Sequence, residues 1–292
     1  MSYDLYFFKR KESKLTEKKV EDYLSENLVA EEKGQWFFQN KDTEVYFIIE
    51  KSETEINEEE IEFVENYEDF ESLNFSFILN FLRPSFFGTE AFSFIEKIIN
   101  DLDVYISNPQ SDKEIPYKPK KEELFENWNS TNLNSSSEHF GEQNSYLEIG
   151  KSNEIWKYNF QRNEIQEKLG ENYFVPKIFF FKTKAENKVI TLSSWTEHIP
   201  NLIPNADYIL LTKIYTKFFR KVQENVLVSR ENLLNRFGEY FIDYEYSNCK
   251  IIHPENAKKI KDLFNSTKSE LKLENFAERV QIENLFNEKP RT

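Results

Sequence analysis

The chain has 292 residues, 52 Asp and Glu against 38 Lys and Arg, and a formal charge of −14. Its 39% apolar and 16% aromatic content is enough for a packed core, while its net acidity disfavours nucleic acid and anionic membrane surfaces as partners. A length well above the usual domain of about 100–150 residues predicts two domains.

The charge is unevenly spread. Residues 1–118 carry 13 cations against 27 carboxylates, whereas residues 119–292 balance at 25 against 25. The step predicts an acidic domain over 1–118, a linker over 119–144 and a charge-balanced domain over 145–292. The opening Met1–Lys11 lacks a cationic leader, an apolar run and a cleavage site, and no uncharged stretch approaches the roughly 20 residues that span a bilayer. The single cysteine, Cys249, excludes an intramolecular disulfide and a CxxC metal site. A cytoplasmic protein is expected.

Tyr3 to Lys9 is apolar with little interruption and predicts a strand buried on both faces. Thr16 is a candidate N-cap, and Val20, Tyr23, Leu24 and Leu28 repeat at helical spacing behind it. Gln35–Gln39 and Glu44–Glu50 predict a hairpin turning at Asn40–Thr43, with Val45, Phe47 and Ile49 on one face. Asn74–Arg83 alternates Phe75, Phe77, Leu79 and Phe81 before Pro84. A second helix shows Ala91, Phe94, Ile95, Ile98 and Leu102 on one stripe, with Glu90 in its first turn, and Val104–Ser107 closes the series. The order βαβββαβ predicts an α+β domain with a ferredoxin-like sheet, one added strand and helices on one face.

Asn108–Asn144 holds Pro109, Pro116, Pro119 and the polar run Asn129–Ser137, the composition of a linker. Beyond it, Asn153–Leu169 predicts a helix presenting Trp156, Phe160 and Leu169. Strands are expected at Val175–Lys182, Lys188–Ser193 and Asp207–Tyr215. Helices are expected after Ser229 as an N-cap and from Pro254. The second half is again α+β.

Catalytic equipment is sparse. The histidines are His139 in the polar run, His198 in a turn and His253 before Pro254, and each suits a structural role. The one arguable catalytic set is His198 with Glu197, Asp207 and Ser193 or Ser194, near Trp195. On an extended segment, however, Glu197 and His198 point to opposite faces. HExxH, CxxC and calcium-loop patterns are absent, and six scattered glycines build no phosphate loop. No metal, cofactor or catalytic residue is assigned. Lys213, Lys217, Arg220 and Lys221, interleaved with Tyr215, Phe218 and Phe219, form the most basic stretch. It is the best candidate for a nucleic-acid face, with the cations on one side if the stretch is helical; the net acidity favours an ordinary amphipathic element, and a second possibility is a patch that docks the acidic segment across the domain interface.

Between Glu50 and Glu71 eleven carboxylates face one cation, Lys51. Glu58, Glu59, Glu60, Glu62, Glu65, Glu68 and Asp69 can steer a basic protein, and Phe63, Tyr67 and Phe70 can anchor it where exposed. The alternative is a connection whose aromatics tuck onto the sheet. The segments MSYDLYFFKRK, GQWFFQ, EVYFIIE, NFSFILNFLRP, FVPKIFFF and IPNADYILLTK resemble an uncharacterised family of bacterial cytoplasmic proteins without assigned catalytic residues. In general appearance the chain is similar to immunity proteins of delivered toxins. That resemblance implies a non-enzymatic protein that occludes a basic toxin, such as a nuclease. The competing readings are an adaptor or scaffold, and an enzyme with a cleft near His198.

Overall fold

The chain forms two compact units, Met1–Gly141 with Phe286–Thr292 and Glu142–Leu285. The computed structural model describes residues 1–52, 67–138, 144–217, 219–246, 248–269 and 271–287. The first unit contains β1 (Ser2–Arg10), α1 (Glu17–Asn27), β2 (Val29–Ala30), β3 (Gln35–Gln39), β4 (Tyr46–Lys51), β5 (Phe70–Asn80), α2 (Phe86–Leu102), β6 (Tyr105–Ser107) and α3 (Lys121–Glu138). The six strands form one antiparallel sheet in the order β2-β3-β4-β5-β1-β6. The two-residue β2 is too short for an alternation pattern to reveal.

Local chemistry explains several of these elements. Thr16 Oγ1 accepts from Lys19 N at 3.3 Å and caps α1. Asn40 Oδ1 accepts from the amides of Asp42 (3.0 Å) and Thr43 (3.3 Å), an Asx-type turn joining β3 to β4. The alternating residues Tyr3, Leu5, Phe7, Val45, Phe47, Ile49, Phe75, Phe77 and Leu79 are all buried. Phe92 of α2 meets Tyr3 and Phe77 edge-on or tilted, at 5.7 and 6.0 Å between ring centres. The two helices are neighbours, since Tyr23 Oη donates to Asp101 Oδ2 at 2.7 Å. One irregularity interrupts β5. The register to β1 shifts between Tyr6 and Phe8, and Asn74 takes φ +59° there, a left-handed conformation that Asn tolerates.

Three expectations are corrected in this unit. The linker expected over 119–144 is helical over Lys121–Glu138. Its inward face is Leu124, Trp128, Asn132 and Ser136, so half of a genuine helical stripe is polar and the hydrophobic period is hidden. Asn132 imitates a peptide group: its Oδ1 accepts from Arg83 N at 3.1 Å and its Nδ2 donates to Arg83 O at 2.8 Å. Glu90 lies beyond the first turn, because α2 begins at Phe86; it is buried and accepts from Asn40 Nδ2 at 2.9 Å. The boundary expected at 118 lies instead near 141, and Phe286 and Asn287 belong to the first unit, with Ser85 N donating to Asn287 Oδ1 at 2.6 Å.

The second unit contains β7 (Ser145–Leu147), α4 (Ile149–Leu169), β8 (Phe179–Thr183), β9 (Val189–Thr196), β10 (Asn201–Ile203), β11 (Tyr208–Lys217) and β12 (Arg220–Ser229). These are followed by α5 (Arg230–Phe237), β13 (Ile242–Asp243), β14 (Lys250–Ile252), α6 (Pro254–Lys259), α7 (Lys261–Ser266), α8 (Leu273–Phe276) and β15 (Ala277–Arg279). Five strands pair in the order β12-β11-β9-β8-β15, with β9 and β11 parallel, and β10-β14-β13 form a small second sheet. Ser229 caps α5 by accepting from Asn232 N at 3.2 Å.

The predicted face of α4 is also corrected. Trp156 and Phe160 meet each other tilted, at 5.4 Å between ring centres, and Phe160 is exposed, while Ile155, Tyr158, Asn159 and Ile165 are buried. Polar groups turn inward because they serve the extended segment before β8. Asn159 exchanges bonds with Ile178 (2.9 and 3.0 Å), Gln166 binds Tyr173 O (2.8 Å) and Val175 N (3.0 Å), and Tyr158 Oη donates to Pro176 O at 2.8 Å. A buried backbone strip without partners costs more than inward-facing amides.

Candidate functional site

The acidic stretch leaves β4 beside α1. Lys51 Nζ lies 2.6 Å from Glu17 Oε2 and 2.9 Å from Glu21 Oε1. These bonds, Glu17 first, hold the Lys51 ammonium above its ordinary range, and Lys51 holds the Glu17 carboxyl below its own. Thus the one cation in the stretch is committed to α1. Ser52 N donates to Asn74 O at 2.9 Å, at the β5 irregularity.

On the return, aromatics fasten the chain to the sheet. Tyr67 meets Phe8 edge-on at 5.2 Å, and its hydroxyl lies 3.2 Å from Ser107 Oγ. Phe70, the first residue of β5, is 7% exposed and packs on Tyr105 at 5.0 Å, with the Arg10 guanidinium 4.6 Å above its ring. Arg10 Nη1 also lies 3.6 Å from Asp69 Oδ2, and Lys9 Nζ lies 3.2 Å from Glu71 Oε2.

Of the proposed contact residues, Glu58, Glu59, Glu60, Glu62, Phe63 and Glu65 lie outside the described residues. Glu68 and Asp69 are exposed, Tyr67 is half-buried, and Phe70 is a core residue. Phe70 therefore does not meet the condition of exposure set for an anchor. Its burial follows from the strand beginning at that residue rather than at Asn74.

The alternative catalytic set is not assembled. Asp207 adjoins Thr191, at the start of β9, whereas His198 lies beyond the end of that strand, roughly 20 Å away at about 3.3 Å per strand residue. Trp195 is fully buried and donates Nε1–H to Ile199 O at 2.9 Å; Ser193 is buried and donates to Lys177 O at 2.9 Å. Glu197 and His198 are not extended: both have φ near +50°, in a turn closed by Ile199 N donating to Thr196 O at 3.2 Å. Burial, then the nearby Lys261, lowers the affinity of His198 for a proton. His253 Nδ1 lies 2.5 Å from Tyr173 Oη, and His139 lies outside the described residues.

Sequence reasoning missed an open groove of about 880 Å³ in the second unit. Lys151, Lys188, Asp207 and Arg230 line it together with Glu148 and Glu231. On its wall, Lys151 Nζ sits 2.9 Å from Asp207 Oδ2, and that oxygen also accepts from Thr191 N (2.7 Å) and Thr191 Oγ1 (2.9 Å). Burial pushes the Asp207 carboxyl up, but Lys151 and the Thr191 donors outweigh it, so the net direction is down. This network joins β9, β11 and α4 as a structural clamp. Its members are separated by up to 56 residues, which no local motif could signal.

The basic stretch forms the β11–β12 hairpin and not a helix. Lys213 is buried, with Nζ donating to Thr267 O and lying 3.6 Å from Glu224 Oε1. Burial raises the Cys249 thiol to about 11, which makes it a poor nucleophile at neutral pH. Among the described residues no three His, Cys, Asp or Glu side chains are grouped to hold a metal ion, and no helix is long and apolar enough to cross a membrane. No protein family, curated protein or solved structure matches the chain.

Proposed function

We propose that the chain is an immunity protein that binds a basic bacterial toxin domain, such as a nuclease, and occludes its active site in the cytoplasm. The observation that carries this reading is the division of charge: the whole −14 lies within residues 1–118, while the remainder is neutral. Between Glu53 and Glu65 seven carboxylates have no cation among them, and the nearest one, Lys51, is bound by Glu17 and Glu21 of α1. Both flanks are held by the sheet, at Ser52 and at Tyr67. Carboxylates carried in this way attract a cationic domain over several ångströms and orient its approach. Glu58, Glu59, Glu60, Glu62, Glu65 and Glu68 supply the steering, and the half-buried Tyr67 is the described aromatic nearest to them in the sequence.

We read the first unit as an elaborated ferredoxin-like sheet. The strands around its two helices, β6-β1-β5-β4, run in the order last, first, third, second, and β3 with β2 extend the β4 edge. Such a frame keeps both ends of the acidic connection at neighbouring central strands.

The test is co-expression with the product of the adjacent reading frame. Growth arrest by that product should be relieved by the wild-type chain and not by the triple variant Glu58→Lys, Glu59→Lys, Glu60→Lys. With purified proteins, the variant should associate at least ten-fold more slowly at low salt and lose most of its salt dependence. Equal protection by the two chains overturns the reading.

A further inference from the structure

The β11–β12 hairpin runs beyond its last pairing with β9, at Thr212, and among the described residues the strand at its outer side is an edge. Residues 220–225 of β12 are exposed or half-buried along their whole length. Between Lys217 and Arg220 the hairpin turns at Phe219, which is fully exposed at φ +63°. Two-residue turns favour Asn and Gly, because positive φ is costly for a bulky side chain. An exposed Phe in that conformation breaks a local rule without a compensating contact among the described residues, which points to a contact outside the chain.

The edge has a definite hydrogen-bonding parity. Lys217 and Arg220 close the turn as a directly bonded pair, so alternate residues Lys221, Gln223 and Asn225 turn their N–H and C=O groups away from β11. Leu227, of the same parity, gives its carbonyl to Ser269 Oγ at 2.9 Å instead of to a strand, which covers the edge on that side. The open part is thus Arg220–Asn225.

From this parity we infer that β12 is a self-pairing edge, and that its partner is a second copy of this chain in antiparallel register about Val222. Only residues of equal parity can face each other across such an edge, so the two-fold axis passes through a residue and not between two. Centred on Val222, the register sets Val222 against Val222, Arg220 against Glu224 of the other copy, and Lys221 against Gln223. Each copy therefore forms two opposite-charge contacts on the valine side of the sheet. Glu224 stands on that face with an exposed side chain, where it also accepts from Tyr215 Oη at 3.3 Å and lies 3.6 Å from Lys213 Nζ. About four main-chain hydrogen bonds form between Lys221 and Gln223 of the two strands. Phe219 then faces Asn225 of the second copy and leaves solvent.

Sedimentation equilibrium of the full chain over a range of concentration tests this pairing. The wild type should show a reversible dimer. Gln223→Pro removes one outward N–H and leaves the β11 ladder intact, so it should weaken the dimer at least ten-fold with an unchanged circular dichroism spectrum. Arg220→Glu and Glu224→Arg should each weaken it similarly, and the double variant that swaps the two charges should restore it. A wild-type monomer at all concentrations, a dimer indifferent to Gln223→Pro, or a charge swap without rescue each overturns the inference. In the first case the cations of β12 act only to keep the edge from pairing.

Discussion

Gly88 lies directly under the indole of Trp128: a Cβ at position 88 would stand 2.7 Å from Trp128 Cε3 and 3.1 Å from Phe125 Cδ2. α2 and α3 approach this closely only because one of them lacks a side chain there. Gly88→Ala should therefore destabilise the first unit by about 1–3 kcal/mol through overpacking, despite the better helix propensity of alanine. Urea denaturation followed by tryptophan fluorescence measures this. An unchanged or raised midpoint means that α3 yields at no cost.

Asn132 is the second fastening of α3. Asn132→Ala leaves the amide and carbonyl of Arg83 without their side-chain partner, and should cost about 2 kcal/mol or more. Asn129→Ala, one residue away from that face on the helix wheel, is the control and should cost far less. Equal effects of the two would mean that the Arg83 contact contributes nothing specific.

The Asp207 clamp predicts a pH dependence. The folded chain holds this carboxyl below its unfolded value of about 3.9, so in the interval between them the unfolded chain binds more protons. The stability contributed by Asp207 is complete above about pH 4 and is lost as pH falls through the lower, folded value. The gap in urea midpoint between wild type and Asp207→Asn should be widest near neutrality and close on acidification. A gap independent of pH would show that packing, and not charge, holds the clamp.

Phe70 and the acidic residues before it should separate in their effects. Phe70→Ala removes a buried ring and should cost about 3 kcal/mol. The triple variant Glu58→Lys, Glu59→Lys, Glu60→Lys should leave thermal stability nearly unchanged while altering partner association. Differential scanning calorimetry distinguishes the two, and a large loss of stability in the triple variant would tie those carboxylates to the fold.

The readable parts of the chain are those whose partners are close in sequence. Thr16 and Ser229 cap helices through amides three residues on, and Asn40 turns the chain through amides two and three residues on. The alternation through Val45–Ile49 and Phe75–Leu79 also reads directly, because strand geometry makes burial a two-residue rhythm. The hidden parts put polar side chains inward. Asn132 in α3, and Asn159 and Gln166 in α4, mimic or satisfy backbone that lies up to 49 residues away, and with the inward Ser136 they erase the apolar period that would announce the buried face.

The same distinction governs the sites. The sequence by itself determined where ionised groups concentrate, since charge is additive along a chain and independent of folding. Only the tertiary structure decided which of them are committed. It ties Lys51 to α1, sets Arg10 against Asp69, buries Phe70, and parts His198 from Asp207 by the length of a strand. Neutralisation and burial depend on distances between segments far apart in sequence, and composition contains no record of those distances.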